Sequence, residues 1–220
     1  MTTGLFSCTI FRYVFFCSLE EEIVKAVFLS GLQGSGKGMQ GALLAKRGFK
    51  HLVASDALGF MQTEDDGFRN EVSAYVSGGI LVPDDITLKA LKGYLQAKTS
   101  PADNVILDGY MRTAPQADGM ISYLQDMGYD IFVILLVLDE KTASERALLR
   151  GRKDDTPEKL KVRFQGYYDH IGSVLATVVK YGHSIHVVNT SLEYRFCVMS
   201  LGGLAHQLTL GLSLLLDLLN

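Results

Sequence analysis

A glycine-rich turn stands near the start of the chain, in the stretch Val27-Phe28-Leu29-Ser30-Gly31-Leu32-Gln33-Gly34-Ser35-Gly36-Lys37. Gly31, Gly36 and Lys37 have the spacing GxxxxGK, which is typical of loops that bind nucleotide phosphates. Glycines let the backbone pass close to phosphate oxygens, and the following helix adds the positive end of its dipole. The alternative is a plain turn between a strand and a helix, because Gly38 stands where Ser or Thr usually follows the lysine.

Five apolar runs rich in Val and Ile alternate with helical patterns along the chain. Such nearly continuous runs are typical of strands buried on both faces of a parallel sheet. The alternation predicts an α/β fold of three layers, with a five-stranded parallel sheet and helices on both faces. The predicted strands are Val24–Leu29, His51–Ala54, Asn104–Leu107, Ile131–Leu138 and Ser184–Val188.

Capping residues mark several of the predicted helices. Gly48 suits the C-cap of a helix over Met39–Arg47, and another helix is predicted over Asp85–Lys98. Thr156-Pro157 is expected to open a long helix, with Thr as the N-cap and Pro at the first helical position. The long stretch Ser55–Val82, between the second and third strands, is predicted to be a small helical insertion.

Composition sets limits on the class of protein. The chain has 220 residues, of which 48% are apolar and 20% charged, as expected of a globular protein. A net charge of −3 argues against a general nucleic-acid binder. The three cysteines, Cys8, Cys17 and Cys197, form no CxxC pair, so we expect reduced thiols and a cytoplasmic protein. A monomer is a separate expectation.

The two ends of the chain carry no recognisable chemistry. Residues 1–23 are treated as an extension that is an extra strand, a disordered tail or the product of an upstream start codon. Its apolar part, Leu5–Cys17, is too short to span a bilayer. Residues 24–190 are expected to form the core. Residues 191–220 are predicted as an apolar helix, centred on Leu208–Leu219, that packs on the core or on a partner rather than in a membrane.

An acidic residue closes the third predicted strand. Asp108 follows Leu107 directly, and an Asp in this position can hold Mg²⁺ through water beside a phosphate-binding loop. Many strands end in Asp, so Asp108 indicates a magnesium site only in combination with the glycine-rich turn.

Four segments together resemble the adenylate kinase family. Their order and spacing match that family from Lys25 to Asn189. The segments are Gly31–Gln40, which is similar to GxPGxGKGTQ, Gly79–Asp84, similar to GxLVPD, Leu107–Ala117, similar to LDGFPRTxxQA, and Arg150–Asp155 with the later Arg163, similar to RxxGRxDD.

The resemblance implies an enzyme that moves the γ-phosphoryl group of ATP to a nucleoside monophosphate, with AMP the first expectation and Mg²⁺ as cofactor. It implies an acceptor-binding insertion at about residues 54–83 and a short lid at about residues 150–156. Lys37 would hold the donor phosphates, Arg112 the acceptor phosphate, Gln116 the acceptor base, and Arg146 would stack on the donor adenine.

The site residues that the resemblance implies fall into four groups. The catalytic group is Lys37, Arg112, Arg150, Arg152 and Arg163. The ATP-binding group is Gly34, Ser35, Gly36, Lys37, Gly38, Met39, Arg146 and Arg150. The acceptor-binding group is Ser55, Leu81, Val82, Gly109, Arg112, Gln116, Arg152 and Arg163. The metal group is Asp108, acting through water. Each arginine could instead be a surface residue or an ion-pair partner of Glu145, Asp154 or Asp155.

Four residues depart from the family pattern. Met39 and Ala54 replace threonines, Gly59 replaces an arginine that clasps the acceptor phosphate, and Met111 replaces a proline. Arg69, in the insertion, is a candidate substitute for the missing arginine. The departures leave two alternatives open: a nucleotide-binding module with impaired catalysis, and a UMP/CMP-type or other small-molecule kinase built on the same loop.

Overall fold

The computed structural model describes residues 24–78, 82–152, 155–191 and 197–198. In these ranges the strands are β1 Lys25–Gly31, β2 Lys50–Val53, β3 Val105–Asp108, β4 Asp130–Val137, β5 Ile185–Asn189 and β6 Cys197–Val198. The helices are α1 Lys37–Ala45, α2 Ala54–Glu64, α3 Asp66–Gly78, α4 Asp84–Lys98, α5 Ala114–Asp126, α6 Glu140–Leu149 and α7 Pro157–Lys180.

The strands form one sheet in the order β2-β3-β1-β4-β5-β6. Strands β1 to β5 pair in parallel, and β6 is antiparallel to β5. The chain crosses from one side of β1 to the other between β3 and β4, so the carboxyl end of β1 is a switch point where α/β sheets bind ligands. The register pairs Leu29 of β1 with Asp108 of β3, which brings the start of the glycine-rich loop beside that carboxylate.

Both faces of the sheet are covered by apolar side chains. Along β1, Ala26 and Phe28 belong to one core cluster, and Val27 and Leu29 to the opposite one. This alternation follows from the period of two along a strand. Helices α4, α5 and α7 contribute to the first cluster, and Leu44 of α1 to the second. The α/β fold with a five-stranded parallel sheet is therefore confirmed.

The predicted strands are all present, with ends within two residues of the expected ones. Helix α1 begins at Lys37 rather than Met39, because Gly36 takes the N-cap position with a left-handed backbone. Thr156 and Pro157 open α7 as predicted, and the Thr156 hydroxyl accepts a hydrogen bond from the Lys159 backbone.

The carboxyl end of the described chain differs from expectation. Cys197 and Val198 form β6, although they fall in the range predicted as an apolar helix. A two-residue strand is too short to show the alternation by which strands are recognised. Residues 1–23 and the Leu-rich stretch 208–219 lie outside the described residues. Among the helices that the structure does describe, none combines the length and apolar character needed to cross a bilayer.

Three helices connect β2 to β3. Helices α2 and α3 fall within the predicted insertion, and α4 follows it. They have a small core of their own, to which Phe68, Val72 and Ile86 contribute. The insertion therefore has packing that is partly separate from the main sheet.

Tyr110, just after β3, provides a test of core packing. Its side chain is fully buried, and its hydroxyl has no hydrogen-bond partner in the described part of the chain. A buried donor without a partner costs about 1–3 kcal/mol. We expect Tyr110→Phe to raise the free energy of unfolding by about 1 kcal/mol, measured by urea denaturation. Tyr181→Phe is the control and should lower it, since the Tyr181 hydroxyl donates to Asp118 at 3.1 Å. A less stable Tyr110→Phe protein would contradict this reading of the core.

Candidate active site

The glycine-rich loop runs from the end of β1 into α1. Gly34 has a φ of 88°, a conformation that favours glycine, and a Cβ there would collide with the Ala143 carbonyl oxygen of α6. Gly36 has a φ of 92° and caps α1. The Ser35 backbone N–H is paired with the Leu32 carbonyl at 3.1 Å, and Ser35 itself is buried. The loop thus packs closely on α6 and presents the amino end of α1.

Lys37 lies over this loop. Its Nζ donates to the carbonyl oxygens of Gly31 at 2.6 Å and Leu32 at 2.9 Å. An ammonium group has three donors, so these bonds leave one for a ligand. Desolvation lowers the pKa of Lys37 to about 8, against the opposing attraction of Asp108. The amine is therefore held in place, and its burial makes it lose its proton at a lower pH than an exposed lysine does.

Asp108 stands at the carboxyl end of β3 and is 8% exposed. Its Oδ2 lies 3.6 Å from Nε2 of His51, which projects from the neighbouring strand β2. A Cβ on Gly41 of α1 would collide with the His51 ring, so that glycine makes room for it. The His51 ring is therefore close to the carboxylate without a hydrogen bond to it, and the carboxylate attracts the Lys37 amine.

Three arginines surround Lys37 closely enough to lower the pKa of its amine further. They are Arg112, Arg150 and Arg152. For Arg112 itself, desolvation lowers the pKa, attraction by Asp108 raises it, and repulsion from Arg163 lowers it. These cationic side chains outnumber the neighbouring carboxylates, so the site suits a polyphosphate anion.

A buried carboxylate, Asp155, holds Arg150 and Arg163. Oδ2 of Asp155 accepts from Nε of Arg150 at 3.1 Å and from Nη2 at 2.7 Å. Oδ1 of the same residue accepts from Nη1 of Arg163 at 3.3 Å. The Asp155 side chain has no exposed surface, and the two arginine side chains are about one third exposed, 36% and 32%. The ion pair with Asp155 therefore orients the arginines while leaving part of each open to a ligand.

Gln116, which the sequence predicts to meet the acceptor base, is buried at the start of α5. Its Oε1 accepts from the Arg112 backbone N–H at 3.1 Å, and its Nε2 donates to Asp84 at 2.8 Å. Gly109 has a φ of 74°, and Arg112 Nε donates to its carbonyl at 3.2 Å. The backbone after β3 thus carries both Arg112 and Gln116.

The remaining predicted acceptor residues are placed as follows. Val82 is buried, and Ser55 lies in the first turn of α2, where its hydroxyl donates to Asp56 at 3.4 Å. Leu81 lies outside the described residues. Arg69, the candidate substitute, is engaged elsewhere: Nε donates to the Gln62 carbonyl and Nη1 pairs with Asp66, both at 2.8 Å.

Of the residues predicted to bind ATP, Gly38 and Met39 are exposed on the first turn of α1, with Met39 57% exposed. Arg146 of α6 donates to backbone carbonyls at the end of β5 rather than to the groups around Lys37. Its Nη1 donates to the Thr190 carbonyl at 2.7 Å and its Nη2 to that of Ser191 at 3.3 Å. The guanidinium plane is thereby fixed beside the end of β5.

Three residues of the site were not identified from the sequence. Asp84 and Thr113 contact Gln116 or its partners, and His51 contacts Asp108. Asp84 closes the GxLVPD-like segment and Thr113 lies in the LDGFPRTxxQA-like one, so both residues belong to segments that the sequence analysis singled out. Their hydrogen bonds could not be predicted from the sequence, because the bonded residues belong to different elements.

The fold and the site together define an α/β protein with a phosphate-binding loop at the switch point of its sheet. A family model described as adenylate kinase matches residues 29–183. The chain is 33% identical to an adenylate kinase of Nocardia farcinica, over 69% of this chain and 88% of that protein. It is 37% identical to one of Parabacteroides distasonis, over 64% and 77%, and 32% identical to one of Corynebacterium diphtheriae, over 73% and 93%. The chain belongs to the adenylate kinase family and is an enzyme of the nucleoside monophosphate kinase type.

Proposed function

We propose that this protein catalyses the reversible transfer of the γ-phosphoryl group of MgATP to AMP, giving two ADP. The observation that carries the proposal is the set of charges around Lys37. Three guanidinium groups and the Asp108 carboxylate all act on its amine, at the switch point of the sheet. Phosphoryl transfer offers little covalent work, so a fixed cluster of cations is the main catalytic requirement.

The residues divide the work between donor and acceptor. The glycine-rich loop and Lys37 hold the donor phosphates, and Arg112 holds the acceptor phosphate. Arg150 and Arg163, oriented by Asp155, neutralise the charge that develops on the phosphoryl group during its transfer. The acceptor oxygen attacks the γ-phosphorus in line as the bond to the β-phosphate oxygen breaks, and no side-chain nucleophile takes part. Closure of the lid over both substrates excludes water, which would otherwise hydrolyse ATP.

The residues present fit a magnesium ion that arrives with the nucleotide. The described residues contain no group of three His, Cys, Asp or Glu side chains that could form a metal cage. Mg²⁺ commonly keeps several waters and uses one or two carboxylates beside substrate phosphates, a role that Asp108 suits. When bound, the ion would neutralise charge on the β- and γ-phosphates. Asp108 would hold its water ligands.

The lowered pKa of Lys37 leads to a prediction about proton uptake. In the free protein the amine is about half deprotonated near pH 8. ATP is an anion, so its binding raises the pKa of the amine and draws a proton from solution. We expect uptake of about half a proton per ATP at pH 8, about three quarters at pH 8.5, and little at pH 6.5, where the amine is already charged. Affinity should fall as pH rises above 8.

Calorimetry of ATP binding in two buffers with different ionisation enthalpies measures this uptake. The Lys37→Met protein is the control, because its uptake near pH 8 should disappear even where weak binding persists. Equal uptake at pH 6.5 and pH 8.5 in the unaltered protein would contradict the assignment to Lys37.

The proposed reaction is tested with one sample and a panel of acceptors. Purified protein is incubated with MgATP and AMP, CMP, UMP or GMP, and ADP formation is followed by a coupled assay. We expect the highest kcat/KM with AMP. A higher kcat/KM with CMP or UMP than with AMP would identify that pyrimidine nucleotide, rather than AMP, as the acceptor. The absence of turnover with all four monophosphates would contradict the proposal.

One observation favours a second candidate, a nucleotide-binding module with impaired catalysis. Position 59, where the family carries an arginine, is an exposed glycine, and Arg69 is engaged by Gln62 and Asp66. Calorimetry separates the two functions. ATP binding without AMP binding or turnover would support the module, whereas binding of both nucleotides with turnover supports the kinase.

A further inference from the structure

Gln116 lies in a closed ring of hydrogen bonds that the reaction itself does not require. Its backbone N–H donates to Oγ1 of Thr113 at 3.3 Å, and the Thr113 hydroxyl donates to Oδ1 of Asp84 at 2.7 Å. The same Oδ1 accepts from Nε2 of Gln116 at 2.8 Å, and Oε1 of Gln116 accepts from the Arg112 backbone. Gln116 and Thr113 are buried, so water competes weakly for these bonds.

This ring fixes which end of the Gln116 amide is oxygen and which is nitrogen. A backbone N–H can only donate, so the atom facing Arg112 must be the amide oxygen. An ionised carboxylate can only accept, so the atom facing Asp84 must be the amide nitrogen. A rotated amide would place two donors together at Arg112 and two acceptors together at Asp84. Two independent partners therefore select the same orientation.

The fixed orientation has a consequence for the acceptor base. An amide has two N–H donors and two oxygen lone pairs, so the ring leaves one of each for a ligand. A nucleotide whose phosphate is held by Arg112 presents its base to this amide in one orientation. An amino group must then face the oxygen, and an unprotonated ring nitrogen must face the N–H. Adenine has that pattern, whereas hypoxanthine and guanine present a carbonyl and a ring N–H in the same places.

We infer that Asp84 is a positioning residue for acceptor selectivity: it locks the Gln116 amide in the polarity that accepts an amino-bearing base and rejects its carbonyl counterpart. The inference rests on the proposed function, in which Gln116 meets the acceptor base. Because Gln116 is only 2% exposed, the base reaches it after the covering side chains move apart. The carboxylate then acts through Gln116 without touching the substrate.

The test compares AMP with inosine monophosphate, which differs only in the donor and acceptor pattern at this edge of the purine. Asp84→Asn keeps the shape of the side chain but lets it present either an oxygen or an N–H₂ group. We expect the ratio of kcat/KM for AMP to that for inosine monophosphate to fall about tenfold. The KM for AMP should rise, and the KM for ATP should stay unchanged.

Asp85→Asn is the matched control. Asp85 is exposed in the same first turn of α4, so its replacement changes the charge equally. That variant should keep the wild-type ratio. Should Asp84→Asn fail to fold, Thr113→Val makes the same test, because it removes the other donor to the Asp84 carboxylate. Its control is Thr113→Ser, which keeps the hydroxyl.

The outcomes separate this inference from the proposed function. An unchanged ratio in Asp84→Asn, or equal losses for both monophosphates, overturns the role of Asp84 while AMP turnover by the wild-type protein still stands. If the wild-type protein binds AMP more tightly than inosine monophosphate in calorimetry but turns over neither, the proposed reaction fails and the ratio of Kd values tests Asp84 instead. Wild-type binding of neither nucleotide overturns both.

Discussion

Replacing Lys37 with Met should reduce kcat for ADP formation by about a hundred- to a thousandfold, the usual effect of losing one preorganised charged donor. Two loop carbonyls hold the Nζ atom of Lys37, so the amine is already placed when the donor phosphates arrive. Methionine has a similar length and apolar stem but cannot donate. The loss should therefore appear in kcat and in ATP binding, with little change in the fold.

Lys46→Met is the matched control for this variant. Lys46 is exposed at the C-cap of the same helix α1, so its replacement makes the same chemical change away from the loop. A coupled assay with saturating AMP should show near wild-type turnover for the control. Comparable kcat values for Lys37→Met and Lys46→Met would refute the assignment of Lys37 to the donor phosphates.

Gly59→Arg should improve the enzyme, lowering the KM for AMP by about ten- to a hundredfold. Gly59 lies on the exposed surface of α2, and a Cβ built there meets no atom within 4 Å. The family resemblance places a phosphate-clasping arginine at this position. One charge-assisted hydrogen bond contributes about 1.5–3 kcal/mol, which corresponds to that range of affinity. The KM for ATP should stay within about twofold.

A helical glycine elsewhere separates this gain from a general effect on stability. Replacing glycine in a helix with a better helix former stabilises it by about 1 kcal/mol. Gly172 of α7 is also exposed and has open space around a built Cβ, so Gly172→Arg should stabilise the protein similarly. Only Gly59→Arg should change the KM for AMP. An equal KM in the two variants would show that position 59 does not face the acceptor phosphate.

The parallel sheet could be predicted from sequence because its signals are local. Buried parallel strands are continuous apolar runs, and the glycine spacing before Lys37 needs only a few neighbouring residues. Cys197–Val198 escaped prediction since its strand is defined by pairing with Val188 and Asn189, not by its own pattern. Local signals thus located the sheet but not its last edge strand.

Contacts between distant residues account for what the sequence left undecided in the site. Asp84 and Gln116 are 32 residues apart, and neither residue type indicates the bond between them. Asp155 could be read equally as a charge at the amino end of α7 or as a partner of the arginines. The structure shows it bonded to Arg150 and Arg163, a geometry that depends on how α6 and α7 pack.

The absence of a side chain at Gly34 ties two parts of the molecule together. The loop backbone there lies directly against the Ala143 carbonyl of α6, with no atom between them. Helix α6 carries Arg146 and leads into Arg150. Helix α6 therefore connects the backbone of the glycine-rich loop directly to both arginines. A tilt of this helix would displace the loop and the two guanidinium groups together.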